Sequence, residues 1–234
     1  MSEYSKNSYL KFIKNNGISS FLQDEPNNLY AISSNPQVPN KINEINNIND
    51  LKLFIKKSNN CNLKKQAKST VISDGNEKAS IMIIGEAPGA EEDKIGKPFV
   101  GAAGNLLNKM LNSINIKREE VYITNIIPWR PPNNRTPTNE EIIQCLPFIQ
   151  RHIEIISPKI ILLLGATASK AILNSNLSIK NLRGRFHKYE SINLKKTINC
   201  LVTYHPAFLL RSPEYKKHSW EDLKNFKKNL NEKI

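Results

Sequence analysis

A chain of 234 residues with 34 Lys and Arg against 21 Asp and Glu carries a formal charge of +13 and a pI near 9.6. At 39% hydrophobic and 24% charged it has the composition of a globular protein with one sizeable domain, which excludes a wholly disordered chain. The longest apolar stretch, Ile160 to Ala168, is interrupted by Gly165 and falls far short of the roughly 20 residues of a membrane-spanning helix.

The charge favours polyanions through phosphate neutralisation and counterion release, although Lys, Asn and Ile are abundant throughout and part of the excess follows from that bias alone. The first residues, MSEYSKNSYLKF, contain no apolar core of a secretory signal, and Cys61, Cys145 and Cys200 are too widely spaced for a disulfide framework. A reduced, cytoplasmic protein is expected.

Residues 1–45 read as an extension: a short amphipathic piece (Tyr9, Leu10, Ile13, Ile18, Phe21, Leu22), then an Asn/Ser/Pro-rich linker from Glu25 to Asn40. Residues 46–234 read as the domain. Leu51, Leu53 and Phe54 suit a helix ending at Asn59-Asn60. Ser80 to Ile84 is an apolar run stopped by Gly85, as a strand buried on both faces would be, and Gly101 to Ile114 follows with helical spacing. Val121 to Ile127 is a second strand, and Thr138 opens a helix reaching Ile156 with Glu140 and Glu141 in its first turn. Lys159 to Leu164 is a third strand, with Ala166 to Leu173 helical behind it. Thr197 to Thr203 is a fourth, delivering Tyr204-His205-Pro206, and Tyr215 to Leu230 closes as a basic amphipathic helix. Strand, loop and helix alternate, so the fold class is α/β: a mainly parallel sheet with helices on both faces and ligands at the strands' carboxyl ends.

The loop from Gly85 to Gly101 is too long for a simple connector. Its glycines let main-chain N–H groups approach a ligand, although a Gly/Pro loop that merely turns the chain has the same composition. No Gly-Lys-Ser/Thr ends it, so it is not a Walker loop. Phe99 near its end either packs in the core or offers a flat face to a nucleobase. Asn125 ends a buried strand. Its amide carries donor and acceptor side by side, which matches the N3–H and O4 of uracil and opposes cytosine, but an Asn capping the next turn is the alternative. His205 is either structural or an N–H donor able to stabilise negative charge on a base, and burial would keep it neutral.

Six segments in order, Gly85-Glu-Ala-Pro-Gly, Glu92-Asp93, Gly96-Lys-Pro-Phe-Val-Gly101, Tyr122-Ile-Thr-Asn125, Arg130-Pro-Pro-Asn-Asn-Arg135-Thr-Pro and Thr203-Tyr-His-Pro-Ala-Phe-Leu-Leu-Arg211, resemble the family 4 uracil-DNA glycosylases over about residues 61–230. The resemblance implies a three-layer α/β/α sandwich with a central four-stranded, mainly parallel sheet, and hydrolytic release of uracil from DNA. It also implies stacking by Phe99, the uracil edge for Asn125, O2 for His205, the catalytic loop for Glu86, and for Glu92 a shield of the C5 side against thymine. Ala87 stands where many uracil glycosylases have an aspartate that positions water. A strong general base is therefore missing, and leaving-group stabilisation is expected to carry the larger share.

The target nucleotide must leave the duplex, at a cost of a few kcal/mol. Leu209 or Leu210 is the expected wedge into the vacated space, unless both simply pack; Arg211 and Arg135 are the expected DNA contacts. Typical members resemble a four-cysteine ligand set for a [4Fe–4S] cluster. Here the corresponding positions are Cys61, Lys64, Trp129 and Cys145, so the chain resembles a branch without the cluster, and neither cofactor nor metal is expected. Cys200 reads as a small buried hydrophobe. The covalent uracil-trapping relatives are a poor match, since no Lys-Arg-Arg-Ile-His insertion lies near Arg135. The expected partner is uracil-containing DNA, met as a monomer and away from membranes. A catalytically weak uracil- or nucleic-acid-binding relative and a small-molecule nucleotide-binding module are the other readings.

Overall fold

The computed structural model describes residues 42–191, 193–194 and 196–232. The expected extension therefore lies outside the described residues as far as residue 41, while Ile42, inside its expected span, is buried in the core. The strands are β1 (Ser73–Gly75), β2 (Ile81–Gly85), β3 (Val121–Asn125), β4 (Ile160–Leu164), β5 (Phe186–Glu190) and β6 (Thr197–Thr203). The helices are α1 (Ile48–Lys57), α2 (Ala90–Ile95), α3 (Ala102–Asn112), α4 (Asn139–Ile156), α5 (Gly165–Leu173), α6 (Ile179–Leu182), α7 (Pro206–Arg211) and α8 (Lys216–Glu232). No helix among the described residues is long and apolar enough to cross a membrane.

One six-stranded sheet runs β1-β3-β2-β4-β6-β5. The expected strands β3, β2, β4 and β6 form its parallel centre, and the sheet is wider than expected because β1 and β5 add antiparallel edges. Neither edge strand has a readable pattern. β1 has only three residues, ending in Gly75, and β5 (Phe-His-Lys-Tyr-Glu) is mostly exposed or half-buried. Each is held as a strand by the ladder of its neighbour.

Alternate residues of a strand face opposite sides. Met82 and Ile84 of β2, with Tyr122, Ile161, Leu163 and Val202, pack toward α1, α4 and α5. Ile81 and Ile83, with Val121, Ile123, Leu162 and Leu201, pack toward α3 and α8. The result is the three-layer α/β/α arrangement. Thr138 caps α4 as expected: its hydroxyl accepts from the Glu141 N–H while the Glu141 carboxylate accepts from the Thr138 N–H, satisfying two otherwise unpaired helix-end donors.

Register decides where chemistry can gather. Gly85 lies opposite Asn125, and Leu164 opposite Thr203, so the carboxyl ends of the parallel strands finish together. From β2 the chain crosses to β3 on one side and later to β4 on the other, so strand order reverses beside β2. Ligands of open α/β sheets bind at such a reversal.

Candidate functional site

At these strand ends lies a cleft of about 640 Å³. Phe99, Asn125 and His205 all line it, as do Glu86, Ala87, Glu92, Arg135 and Arg211. The residues expected to act together therefore share one cavity, although they come from positions more than a hundred apart in the chain.

The loop after β2 begins with a close approach. A Cβ on Gly85 would lie 2.4 Å from Asn125 Oδ1 and 2.5 Å from Phe99 Cζ, so only glycine lets the ring and the amide lie against the strand end. Glu86 follows, and its Oε2 accepts from the Thr167 hydroxyl at 2.6 Å. That bond ties the loop after β2 to the first turn of α5. Thr167 was not among the residues expected from the sequence; its place directly behind the third apolar strand is the signal that could have found it.

Glu92 sits at the N-terminal turn of α2, a helix within what reads from the sequence as continuous loop. Its Oε1 accepts from the Val100 N–H at 3.0 Å and the Gly101 N–H at 2.9 Å, and its Oε2 from the Gly89 N–H at 3.1 Å. Both oxygens are thus engaged, and Glu92 is a fixed wall of the cleft that also closes the loop upon itself. Phe99 is buried, with a left-handed backbone at φ 53, and its ring centroid is 5.7 Å from that of His205 at an interplanar angle of 31°.

Asn125 is buried, and its Oδ1 has no hydrogen-bond partner among the described residues. Buried acceptors are normally paired, and leaving one unpaired costs on the order of 1–3 kcal/mol. Nor does the side chain cap the following turn. The amide is held ready for a donor that the described residues do not supply.

His205 caps α7: its Nδ1 accepts from the Ala207 N–H at 3.1 Å. Burial holds its pKa down to about 4, helped by the nearby charge of Arg211 and opposed by Glu92. The ring is therefore neutral near pH 7, and with Nδ1 accepting, the proton resides on Nε2. Behind it Tyr204, Phe208 and Tyr215 form an aromatic wall with centroids 5.1–5.3 Å apart.

Of the two leucines expected as wedges, Leu209 is 1% exposed and belongs to the core, which removes it from that role. Helical geometry turns its neighbour Leu210 outward, 43% exposed. Arg211 is exposed at the cleft rim. Arg135 is exposed there too, its guanidinium already paired with Glu141 at 2.6 Å, so its charge toward DNA is partly offset.

The residues at the four cluster positions are not a thiolate set. Cys61 and Cys145 are buried together, the hydrogen bond from Cys145 holding the Cys61 thiol down to about 7 while the same contact and burial push Cys145 up. Lys64 Nζ is turned instead to the carbonyls of Lys56 at 2.6 Å and Ser58 at 2.8 Å, at the C-terminal end of α1. Trp129 is fully buried, donating to Thr70 Oγ1 at 3.1 Å and packing edge-on to Phe148. An ammonium satisfied by carbonyls and an indole do not fit an iron–sulfur cluster. Cys200 is a buried thiol on β6.

A family model described as the uracil DNA glycosylase superfamily matches residues 72–224. A type-4 uracil-DNA glycosylase of Saccharolobus solfataricus is 43% identical over 184 residues, covering 76% of this chain and 84% of that protein. Type-4 uracil-DNA glycosylases of Pyrobaculum aerophilum (38% over 177 residues; 74% of this chain, 89% of that one) and Archaeoglobus fulgidus (40% over 181 residues; 76% and 90%) are similar to the same extent.

Proposed function

The chain belongs to the uracil-DNA glycosylase superfamily, in its type-4 branch, and from that premise we propose how its cleft releases uracil from DNA. The activity is that of a DNA-repair hydrolase acting on an N-glycosidic bond, with free uracil and an abasic site as products. The single observation that carries the residue assignments is the unpaired, buried Asn125 Oδ1 beside the Phe99 ring in the cavity that His205 also lines.

Uracil flipped from the duplex stacks on Phe99. Its N3–H donates to Asn125 Oδ1, and the Asn125 amide N–H donates to O4. Cytosine would meet the same amide with an acceptor at N3 and a donor at its exocyclic amine, leaving two mismatches. Glu92, immobilised by three backbone N–H groups, forms the rigid wall on the C5 side, where the methyl of thymine would collide.

As the bond from the sugar C1′ to N1 breaks, its electron pair enters the base and negative charge gathers on O2 and O4. The His205 Nε2–H donates to O2, and its neutrality is suited to a donor that must keep its proton. Such preorganised donors stabilise the transition state more than the ground state. Water adds to the oxocarbenium-like C1′ and gives up a proton to solvent, while the departing uracil anion takes one up from solvent, so the products are neutral uracil and the abasic sugar. Glu86, its second oxygen held by Thr167, orients that water. Ala87, beside it, offers no carboxylate as a stronger base, and the Glu92 oxygens are held by backbone N–H groups, so leaving-group stabilisation carries more of the rate.

Leu210 fills the space the nucleotide vacates, and Arg211 and Arg135 bind phosphates at the rim. The enzyme works as a cytoplasmic monomer. It works without an iron–sulfur cluster, and that part of the reading is supported by the indole of Trp129 and the occupied ammonium of Lys64 at two of the ligand positions.

The test is base release from oligonucleotides containing U:G, U:A and single-stranded uracil, with His205→Ala beside the wild type. Release by the wild type and its collapse in the variant are expected. Salt-sensitive binding without release would instead make the chain a binding relative, and equal activity of both proteins would remove His205 from the chemistry.

A further inference from the structure

The turn that carries Phe99 is held from outside the cleft. Arg118, in the short 3-10 turn Arg118–Glu120 that leads into β3, places its guanidinium under the turn of Phe99. Nη2 donates to the Pro98 carbonyl at 2.7 Å and Nη1 to the Phe99 carbonyl at 3.1 Å. Nη1 also reaches Asn108 Oδ1 on α3 at 3.1 Å, while Nε donates to Asp74 Oδ2 on the edge strand β1 at 2.9 Å. One planar fork therefore joins two consecutive carbonyls of the turn to a carboxylate on the sheet, a task that a lysine's single ammonium cannot reproduce.

The need for such a hold is visible in the backbone. Phe99 has φ 53, in the left-handed region that bulky residues rarely enter. Gly104 leaves α3 bare where the turn rests on it, since a Cβ there would lie 2.0 Å from the Phe99 carbonyl oxygen. Glu92 takes the N–H groups of Val100 and Gly101 on the far side. The peptide groups around Phe99 are thus clamped, carbonyls by Arg118 and following amides by Glu92. The direction of the ring follows from a backbone that cannot relax.

We propose that Arg118, set by Asp74, is a positioning residue for base stacking: it touches no substrate, and it acts on uracil release by holding Phe99 in its left-handed conformation at the cleft. This rests on the stacking role given to Phe99 above. Local strain held by surrounding contacts is one way a site keeps its geometry before the ligand arrives.

The test is a double-mutant cycle read by single-turnover uracil release. Arg118→Ala and Arg118→Lys are made in the wild-type and Phe99→Leu backgrounds, with thermal unfolding recorded for each. Arg118→Ala is expected to slow release by about 10- to 100-fold, the scale of a misplaced contact near the reacting group. It should slow Phe99→Leu hardly at all, because the ring it aims is gone. Millimolar guanidinium should restore part of the rate to Arg118→Ala and none to the double variant. Arg118→Lys keeps the charge and the stem, and carries the same comparison if Arg118→Ala does not fold. Equal losses in both backgrounds, or full activity of both Arg118 variants, would overturn the proposal. Failure of the wild type to release uracil would instead overturn the functional reading beneath it.

Discussion

Asn125→Leu should raise or preserve stability while strongly slowing uracil release, and both effects come from the same side-chain amide. Asn125 Oδ1 is buried and unpaired, which costs the folded state about 1–3 kcal/mol. Leucine has nearly the same branching and removes that cost, against a repacking penalty of less than about 1.5 kcal/mol for a shape-conserving exchange. The balance lies between near neutrality and a gain of about 3 kcal/mol. At roughly 2–4 °C per kcal/mol for a domain of this size, Tm should stay level or rise by up to about 10 °C. In the complex, by contrast, N3–H and O4 of uracil both lose their partners. At about 1–3 kcal/mol each, that is about 2–6 kcal/mol, or about 1.5 to 4.5 decades in rate. Calorimetric unfolding and single-turnover base release on the same preparation measure both. A fall in Tm of more than about 5 °C would show that the amide serves the fold rather than a ligand, and release near the wild-type rate would refute the recognition role. Asn125→Asp, which presents two acceptors when ionised, should lower the preference for uracil over cytosine.

Three further outcomes are expected. Burial holds His205 down to about 4, and it holds His152, buried on α4 with its Nδ1 2.8 Å from the Tyr122 hydroxyl, down to about 3, against 6.5 in an unfolded chain. Between those values the unfolded chain binds protons that the folded one does not, so stability should fall as pH drops from 6.5 toward 4, and a level Tm across that window would contradict the burial of both rings. Leu210→Ala should slow release from duplex more than from single-stranded DNA with little change in Tm, whereas Leu209→Ala should cost about 2–5 kcal/mol of stability as a core truncation; the opposite pattern would exchange their roles. Iron analysis and visible absorbance of anaerobically purified protein should show no cluster, and stoichiometric iron and sulfide would overturn that reading.

Much of this molecule follows from short-range pattern. The apolar runs of β2, β3, β4 and β6, the Thr138 cap with Glu141 three residues on, and the glycines bounding the loop after β2 are each set by residues close in sequence, and each is legible there. The ordered motifs carried the family and placed Asn125 at a strand end, His205 just beyond one, and Phe99 near the end of the loop after β2. Tertiary structure decided what depends on distant neighbours. The edge strands exist because β3 and β6 offer them unpaired backbone groups. Leu209 and Leu210 differ only in how α7 is rotated against the core. The hydrogen bond from Thr167 to Glu86 spans two crossovers, and that from Arg118 to Asp74 joins residues 44 apart. The unpaired oxygen of Asn125 is likewise a property of everything packed around it. Whether a polar atom has a partner depends on all the groups within about 3 Å in space, and no local sequence window contains them.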